Sequence, residues 1–335
     1  MKSAARGLLP LIRSLTALFL SLTLCLLTLP ALAEWHQTSW DVMGTRATLE
    51  FRVPEEADAQ ALVKQVEAEY QRLENLLSPW IASSEVTQFN LLGEQEALTI
   101  GADLQLLIER ASHYYQLSDG AFDITFAGAG HLYDYRAGVA PNRGELAQAV
   151  IGMQYLSLTG NQLRKLKAGL RIDLGGIAKG YALDRAIALL RQAGVKQAYL
   201  SLGGDSLVVG EHDDRLWQIG IRHPRNPEAL ALTLPLEDTA VSTSGDYERF
   251  FIRDGQHIHH ILDPGTGKPS RGLVSVTILT ANGIDADALS TTVFVLGRGK
   301  GLALINRLLD TSAILIDENG KVHYSDDLVA TDGMP

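Results

Sequence analysis

Asp173-Leu-Gly-Gly-Ile-Ala-Lys-Gly180 sets an acid, two adjacent glycines and a lysine at the head of a stretch with helical periodicity. Backbone N–H groups at Gly175 and Gly176 can approach an anion with no Cβ in the way, a helix start favours negative charge, and Lys179 adds a full positive charge. Such a turn suits a phosphate, and in particular a nucleotide diphosphate. An Asp before two glycines is equally an ordinary helix start, so other segments must weigh on the choice.

Asp285-Ala-Asp-Ala-Leu-Ser-Thr-Thr292 is the second such segment. Asp287, Ser290 and Thr291 stand at i, i+3 and i+4, which puts three oxygen-bearing side chains on one face of a helix. Hard oxygen donors suit Mg²⁺, which keeps some water and completes its shell with substrate phosphate; simple helix capping is the plainer alternative. The third is His257-Ile-His-His-Ile-Leu-Asp-Pro264, a strand running into a turn. His257 and His259 share one face and read as exposed strand residues or as a zinc fragment lacking its third ligand. His260 lies on the other face among apolar neighbours, as a general base, a polar contact or a satisfied core histidine.

Two glycine-rich segments fail their motifs. Gly265-Thr-Gly-Lys268 lacks the earlier glycine and the trailing Ser/Thr of a P-loop, having Leu262 and Pro269 there. Gly297-Arg-Gly-Lys-Gly301 has Leu302 at the last glycine of the dinucleotide pattern and reads as a turn between helices.

Lys2, Arg6 and Arg13 precede an apolar run from about Leu15 to Leu29, then Pro30 and Ala31-Leu-Ala33. This is the pattern of a cleaved secretory signal over residues 1–33, too short and too broken for a retained span. The one cysteine, Cys25, follows Leu24 rather than a small residue, which argues against a lipid anchor. The remaining 34–335 chain would hold no cysteine, so disulfides, thiolate metal sites and cysteine nucleophiles are excluded together. Without the leader's three basic residues, 26 basic residues face 39 acidic ones, a net of −13. Nucleic acid is an unsuitable partner for such a surface, and a bound pyrophosphate needs local cations or a metal.

The elements that position these residues follow from periodicity. Ala47, Leu49, Phe51 and Val53 alternate as a first strand after Met43-Gly-Thr45, and Leu62 to Leu77 recur at helical spacing with Pro79 as the stop. A second helix runs from about Leu104 to Tyr115. Gly120-Ala-Phe-Asp-Ile-Thr125 reads as a turn entering a strand, and a hairpin at Gly160-Asn161 leads to a strand at Leu170–Asp173. A helix over about 177–192 and a buried strand over 198–202, ending in Gly203-Gly-Asp205, come next. Further strands are expected near 217–221, 230–236, 247–252, 257–262 and 274–279, with Pro235 marking an edge. Helices near 285–295 and 300–308 and a hairpin at Glu318-Asn-Gly320 close the chain. Strands and helices do not alternate regularly, so the expectation is α+β: one compact, two-lobed unit with a largely antiparallel sheet and flanking helices.

Seven motifs occur in a telling order: Met43-Gly-Thr45, Gly120–Thr125, Asp173–Tyr181, Leu202-Gly-Gly-Asp205, Thr243-Ser-Gly-Asp-Tyr247, His260-Ile-Leu-Asp-Pro264 and Ala286–Thr291. Together they resemble the ApbE family, the FAD:protein FMN transferases, over nearly all of residues 34–335. The resemblance implies an ApbE-like, T-fold-related domain that binds FAD and Mg²⁺ and moves FMN onto a threonine hydroxyl of a target protein, releasing AMP. Two alternatives stay open: a Mg²⁺-dependent hydrolase cutting FAD to FMN and AMP, and a noncatalytic exported FAD-binding protein.

By similarity Met43, Trp80, Ala121, Phe122, Asp123, Asp173, Lys179 and Ile261 would contact FAD. Asp287 and Thr291 would hold the metal, with the Gly176 carbonyl and Ser290 beside them. His260 is the candidate base, with Asp246 or Asp263 as alternatives. The implied setting is the periplasm, near the inner membrane, and the implied acceptors are flavin-bearing subunits of membrane electron-transfer complexes. After Thr125 the chain departs from the family's Pro-Leu and Trp-Gly-Phe pattern, reading Phe126-Ala-Gly-Ala-Gly-His-Leu-Tyr-Asp-Tyr-Arg136. That strip is expected to border the adenine or the acceptor.

Overall fold

A computed structural model describes residues 34–54 and 57–329; the expected leader, 1–33, lies outside them. Among the described residues eight strands form one sheet in plain chain order: β1 (Trp35–Val42), β2 (Thr45–Arg52), β6 (Ala198–Leu202), β7 (Asp205–Val209), β10 (Ala240–Gly245), β15 (Leu273–Thr280), β16 (Ser312–Asp317) and β17 (Val322–Tyr324). Every neighbouring pair is antiparallel, in keeping with the expected sheet. The other strands, β3 (Ala97–Thr99), β4 (Leu156–Thr159), β5 (Gln162–Lys165), β8 (Trp217–His223), β9 (Asn226–Leu236), β11 (Phe250–Arg253), β12 (Gln256–His259), β13 (Leu262–Asp263) and β14 (Lys268–Pro269), form small ladders in the excursions between sheet strands. The helices are α1 (Ala59–Leu77), α2 (Glu85–Leu91), α3 (Ala102–Leu117), α4 (Ala127–Gly130), α5 (Arg143–Gln148), α6 (Ala178–Gln192) and α7 (Gly283–Ile305).

The sheet is covered on both sides. Ala47, Leu49 and Phe51 of β2 point into the main core, shared with α1, α3, α6 and α7. The opposite face is closed by the β8–β9 hairpin, whose Trp217 and Ile219 meet Val208 and Val241 while Ile221 meets Leu279 and Ile314. Among the described residues β9 pairs only with β8, so Pro235 occupies an edge as expected.

Two tight turns share one end of the sheet. Met43 and Gly44 link β1 to β2 with φ of 53° and 69°, and Gly203 and Gly204 link β6 to β7 with φ of 63° and 100°. Positive φ at both central residues is what a type I′ two-residue hairpin demands. The turns touch, since a Cβ on Gly203 would lie 2.6 Å from Thr45 Oγ1. β10 extends past β7 toward the same end, its Val241 paired with Ser206.

α6 and α7 cross there at two glycines. A Cβ on Gly180 would sit 2.0 Å from the Gly283 carbonyl oxygen, and one on Gly283 would sit 2.4 Å from that of Gly180. The contact is fastened by Asp184 of α6, whose carboxylate accepts from the N–H groups of Gly283 (2.7 Å) and Ile284 (2.9 Å) and so caps α7 from another helix. α7 is apolar around most of its circumference because it is enclosed on most sides. Gly297, φ 73°, breaks its course, which accounts for the two expected helices with a turn between them.

Four expectations are corrected. Gly120–Thr125 leads into a 3₁₀ turn at Ile124–Phe126 and then α4, because Asp123 caps the turn by accepting from Thr125 N (2.7 Å). Leu170–Asp173 is irregular; its backbone is bound by side chains and turns, with Asn90 accepting from Ile172 N at 2.8 Å. β1, β7 and β10 add to the expected strands, and residues 247–249 form a turn ahead of β11.

Gly180→Ala should lower unfolding stability by about 1–3 kcal/mol or more through overpacking. Gly299→Ala, in an exposed helical position with no neighbour within 4 Å, should be neutral or stabilising by up to about 1 kcal/mol. Urea unfolding of the two variants checks the pair.

Candidate functional site

Lys179 leaves the first turn of α6, Asp205 opens β7, and Asp287 lies in the second turn of α7. The glycine crossing brings all three together. Lys179 Nζ bonds to Asp205 Oδ2 and lies 3.4 Å from Asp287 Oδ1, while Gly180 N donates to Asp287 Oδ2 at 3.0 Å. Both carboxylates are buried, and Asp205 also accepts from Ser242 Oγ at 2.6 Å. Burial raises the Asp287 carboxyl; Lys179 opposes this and Asp205 adds to it, leaving the group at about 6. Burial works against the Lys179 charge, but the two carboxylates more than offset it and hold the ammonium above its ordinary value.

A row of hydroxyls joins β10 to α7. Ser290 Oγ donates to the Asp287 carbonyl (2.9 Å) and lies 3.1 Å from Ser242 Oγ and 2.8 Å from Ser244 Oγ, so protein neighbours already surround it. Thr291 Oγ1 has Ser244 Oγ at 3.3 Å and otherwise faces Gly176, where a Cβ would approach to 3.0 Å. The same missing Cβ would lie 3.4 Å from Phe122 Cε2. Gly176, Thr291 and Phe122 therefore form one corner.

Asp173 stands at the head of that corner. Its N donates to the Ile124 carbonyl (2.9 Å) and its carboxylate accepts from Gly175 N (2.7 Å), which ties the 121–126 turn to the glycine pair. Burial raises both the Asp173 and Asp123 carboxyls. Asp123 accepts from the Thr125 hydroxyl as well as its N–H, and Ala121 precedes the buried Phe122. Met43 holds a left-handed backbone that few residues with a side chain adopt, in the turn beside Gly203. Ile261 is buried, whereas Trp80 is 87 % exposed in the loop after α1.

His260 follows β12, its N donating to the Arg249 carbonyl at 3.1 Å. Its Nδ1 is buried with no partner among the described residues, so it is not a satisfied core histidine. Burial, with Arg249 and His259 close by, pushes its imidazolium down to about 3, leaving the ring neutral at ordinary pH. The other two candidate bases are occupied. Asp246 accepts both arms of the Arg225 guanidinium at 2.7 Å, and Asp263 accepts from Gly265 N (2.9 Å) and Thr266 Oγ1 (3.1 Å) in its own turn.

His259 corrects the sequence reading of an exposed strand residue. It is buried; Nδ1 accepts from Ile261 N at 3.3 Å, which assigns the Nε2 proton to the bond with Ser270 O at 2.9 Å. With both nitrogens engaged it does not serve a zinc ion. Sequence reasoning also gives no role to Asp205, Ser242, Ser244 or Arg249. The alternation of Ser242 and Ser244 on one face of a strand is the available signal.

The ApbE family model matches residues 43–315. The chain belongs to the ApbE family. Among ApbE relatives, an FAD:protein FMN transferase of Klebsiella pneumoniae is 34% identical over 281 residues, covering 79% of this chain and 85% of that protein. One of Vibrio cholerae is 29% identical over 282 residues, covering 81% and 84%. Of solved ApbE structures, that from Thermotoga maritima superposes with a TM-score of 0.82 at 30% identity, covering 88% of this chain and 98% of that one. The flavin transferase ApbE from Vibrio cholerae gives 0.80 at 27% identity with the same coverage.

Asp287 in the folded chain sits above the 3.8 of an ordinary aspartate, so the fold retains its proton between about pH 4 and 6. Stability from that proton is fully present at the lower end and is lost as pH rises through about 6. Without added metal, wild type should therefore lose stability relative to Asp287→Asn across that interval, read by urea unfolding at each pH.

Proposed function

We propose that this protein transfers FMN from FAD to a threonine hydroxyl of a target protein, with AMP as the leaving group. The observation that carries it is the corner where Gly176, Lys179, Asp287 and Thr291 converge, at the head of α6 and beside Phe122. A pyrophosphate there would meet backbone N–H groups, a helix start and an ammonium within an otherwise acidic chain. The names of the relatives supply the flavin.

The residues fit a divalent cation. Among the described residues no three acidic, histidine or cysteine side chains gather around a metal position, so the donors would be the Asp287 carboxylate, the Thr291 hydroxyl, the Gly176 carbonyl and phosphate oxygens, with Ser290 bracing α7 against β10. This hard, partly substrate-supplied set suits Mg²⁺. Bound there, Mg²⁺ would neutralise developing charge on the phosphates.

The chain's own part is positioning and charge. Phe122, Met43, Ala121, Ile261 and Trp80 offer apolar contact for the flavin half, with Asp123 and Asp173 shaping the turn. As the threonine oxygen bonds to the FMN-side phosphorus, the bond from that phosphorus to the bridging oxygen of AMP breaks. Lys179 and the glycine-turn donors offset charge on the departing AMP. The unpartnered Nδ1 of a neutral His260 is the site for the hydroxyl proton. The leader-like 1–33 segment supports export to the periplasm, where acceptors in membrane electron-transfer complexes would be met.

Coexpression with a candidate acceptor, followed by mass spectrometry, should reveal an FMN-sized adduct on threonine. Asp287→Ala should abolish the adduct while far-UV circular dichroism shows the fold intact; undiminished labelling refutes the metal role. His260→Ala should slow transfer about 10²–10⁴-fold. Rapid AMP release from FAD and Mg²⁺ without any acceptor would instead favour the hydrolase.

A further inference from the structure

The strip after Thr125, where the sequence leaves its family pattern, does not lie loose beside the site. Tyr133 Oη donates to the Gly267 carbonyl at 2.9 Å and Tyr135 Oη to the His259 carbonyl at 3.4 Å. The two rings are parallel within 5° at 5.8 Å, and Tyr135 leans on Phe251 of β11 at 6.0 Å. Beneath them the contact is close: a Cβ on Gly267 would come within 3.0 Å of Ala129 Cβ and 3.1 Å of Leu146 Cδ2. The strip is itself closed by an Asp134–Val139 bridge, with Asp134 accepting from Arg136 N and Ala137 N at 2.9 Å.

Both acceptor carbonyls bracket His260. One belongs to the residue before it. The other belongs to the turn that β13 and β14 close after it, where Gly267 N donates to Asp263 O (2.8 Å) and Ser270 N to Ile261 O (3.0 Å). Among the described residues the His260 ring nitrogen Nδ1 has no hydrogen bond of its own to orient it, so its direction follows from how firmly the backbone on either side is held. We propose that Tyr133 and Tyr135 are positioning residues for His260, their phenols clamping the base-bearing segment at the distance transfer requires. This rests on the functional reading above and assigns to the divergent strip the task of fixing the base rather than contacting adenine. Burial holds both phenols protonated, as donors, through the working pH range. The charged or titratable neighbours of His260 itself are Arg249, His259 and Lys179; the phenol deletions leave their side chains in place, though Tyr135 also lies near Arg249.

The test uses Tyr133→Phe, Tyr135→Phe and the double variant of the full chain, with FAD, Mg²⁺ and a threonine-bearing synthetic peptide as probe, read as AMP release and peptide mass. Each single change should lower kcat about threefold to tenfold, the worth of one buried hydrogen bond, with Tyr133→Phe the larger. KM for FAD should stay within about twofold, the split expected when only the transition state is affected. On a His260→Ala background the tyrosine changes should have no further effect. In the unliganded protein, amide exchange at residues 259–267 should quicken while that of α6 does not. Unchanged kcat, a loss that persists undiminished without His260, or unchanged exchange overturns the proposal. If wild type transfers no FMN to any acceptor, the functional reading fails instead, and amide exchange alone then decides whether the clamp exists.

Discussion

The site exists because two helices touch through glycines. Gly180 and Gly283 let α6 and α7 approach until each backbone meets the other's carbonyl, with no room for a single methyl group. Everything that handles charge hangs from this crossing: Gly180 N donates to Asp287, Lys179 stands one residue earlier, and Asp184 one turn later fastens the start of α7. A wider crossing would part Asp287 from the Gly180 N–H and from Lys179.

Close packing also explains why the charges are where they are. Two buried carboxylates beside one ammonium are an unfavourable arrangement for an empty site, as the elevated Asp287 shows. The same arrangement leaves net negative charge at the head of a helix, which a divalent cation carrying a phosphate would offset. The Ser242 hydroxyl holds the Asp205 carboxylate, and Ser242 and Ser244 tie β10 to Ser290 of α7, all without adding charge. Local geometry in this way answers the repulsion of a chain with a net charge of −10.

Much of this is legible in the sequence where local chemistry decides the outcome. Helices α1, α3 and α6 announce themselves by apolar spacing and by Pro79, and the closing hairpin by the turn chemistry of Glu318-Asn-Gly320. The i, i+3, i+4 spacing puts Asp287 and Thr291 on one helix face, though the reason Ser290 turns toward β10 lies in another element. β10 escapes a reading by periodicity because its Ser, Thr and Gly residues carry little hydrophobic signal; its place in the middle of the sheet comes from neighbours on both sides. The strand expected at Gly120–Thr125 gives way to a cap made by Asp123, a local hydrogen bond competing with extended pairing. His259 and His260 differ by one residue, and only the turn beyond them shows that one supports the backbone while the other keeps a ring nitrogen without a partner among the described residues.

The strand order of the sheet carries a topological consequence. Because its eight members succeed one another along the chain without a crossing, each intervening stretch is in effect an elaborated hairpin loop, free to lengthen or change at modest entropic cost. Gly176 and Lys179 stand at the head of α6 in the excursion between β2 and β6, His260 rides on that between β10 and β15, and Asp287 lies on that between β15 and β16. Each contributor to the site can thus be revised within its own loop without re-pairing the sheet, a separation inherent in a meander and denied to an interleaved sheet.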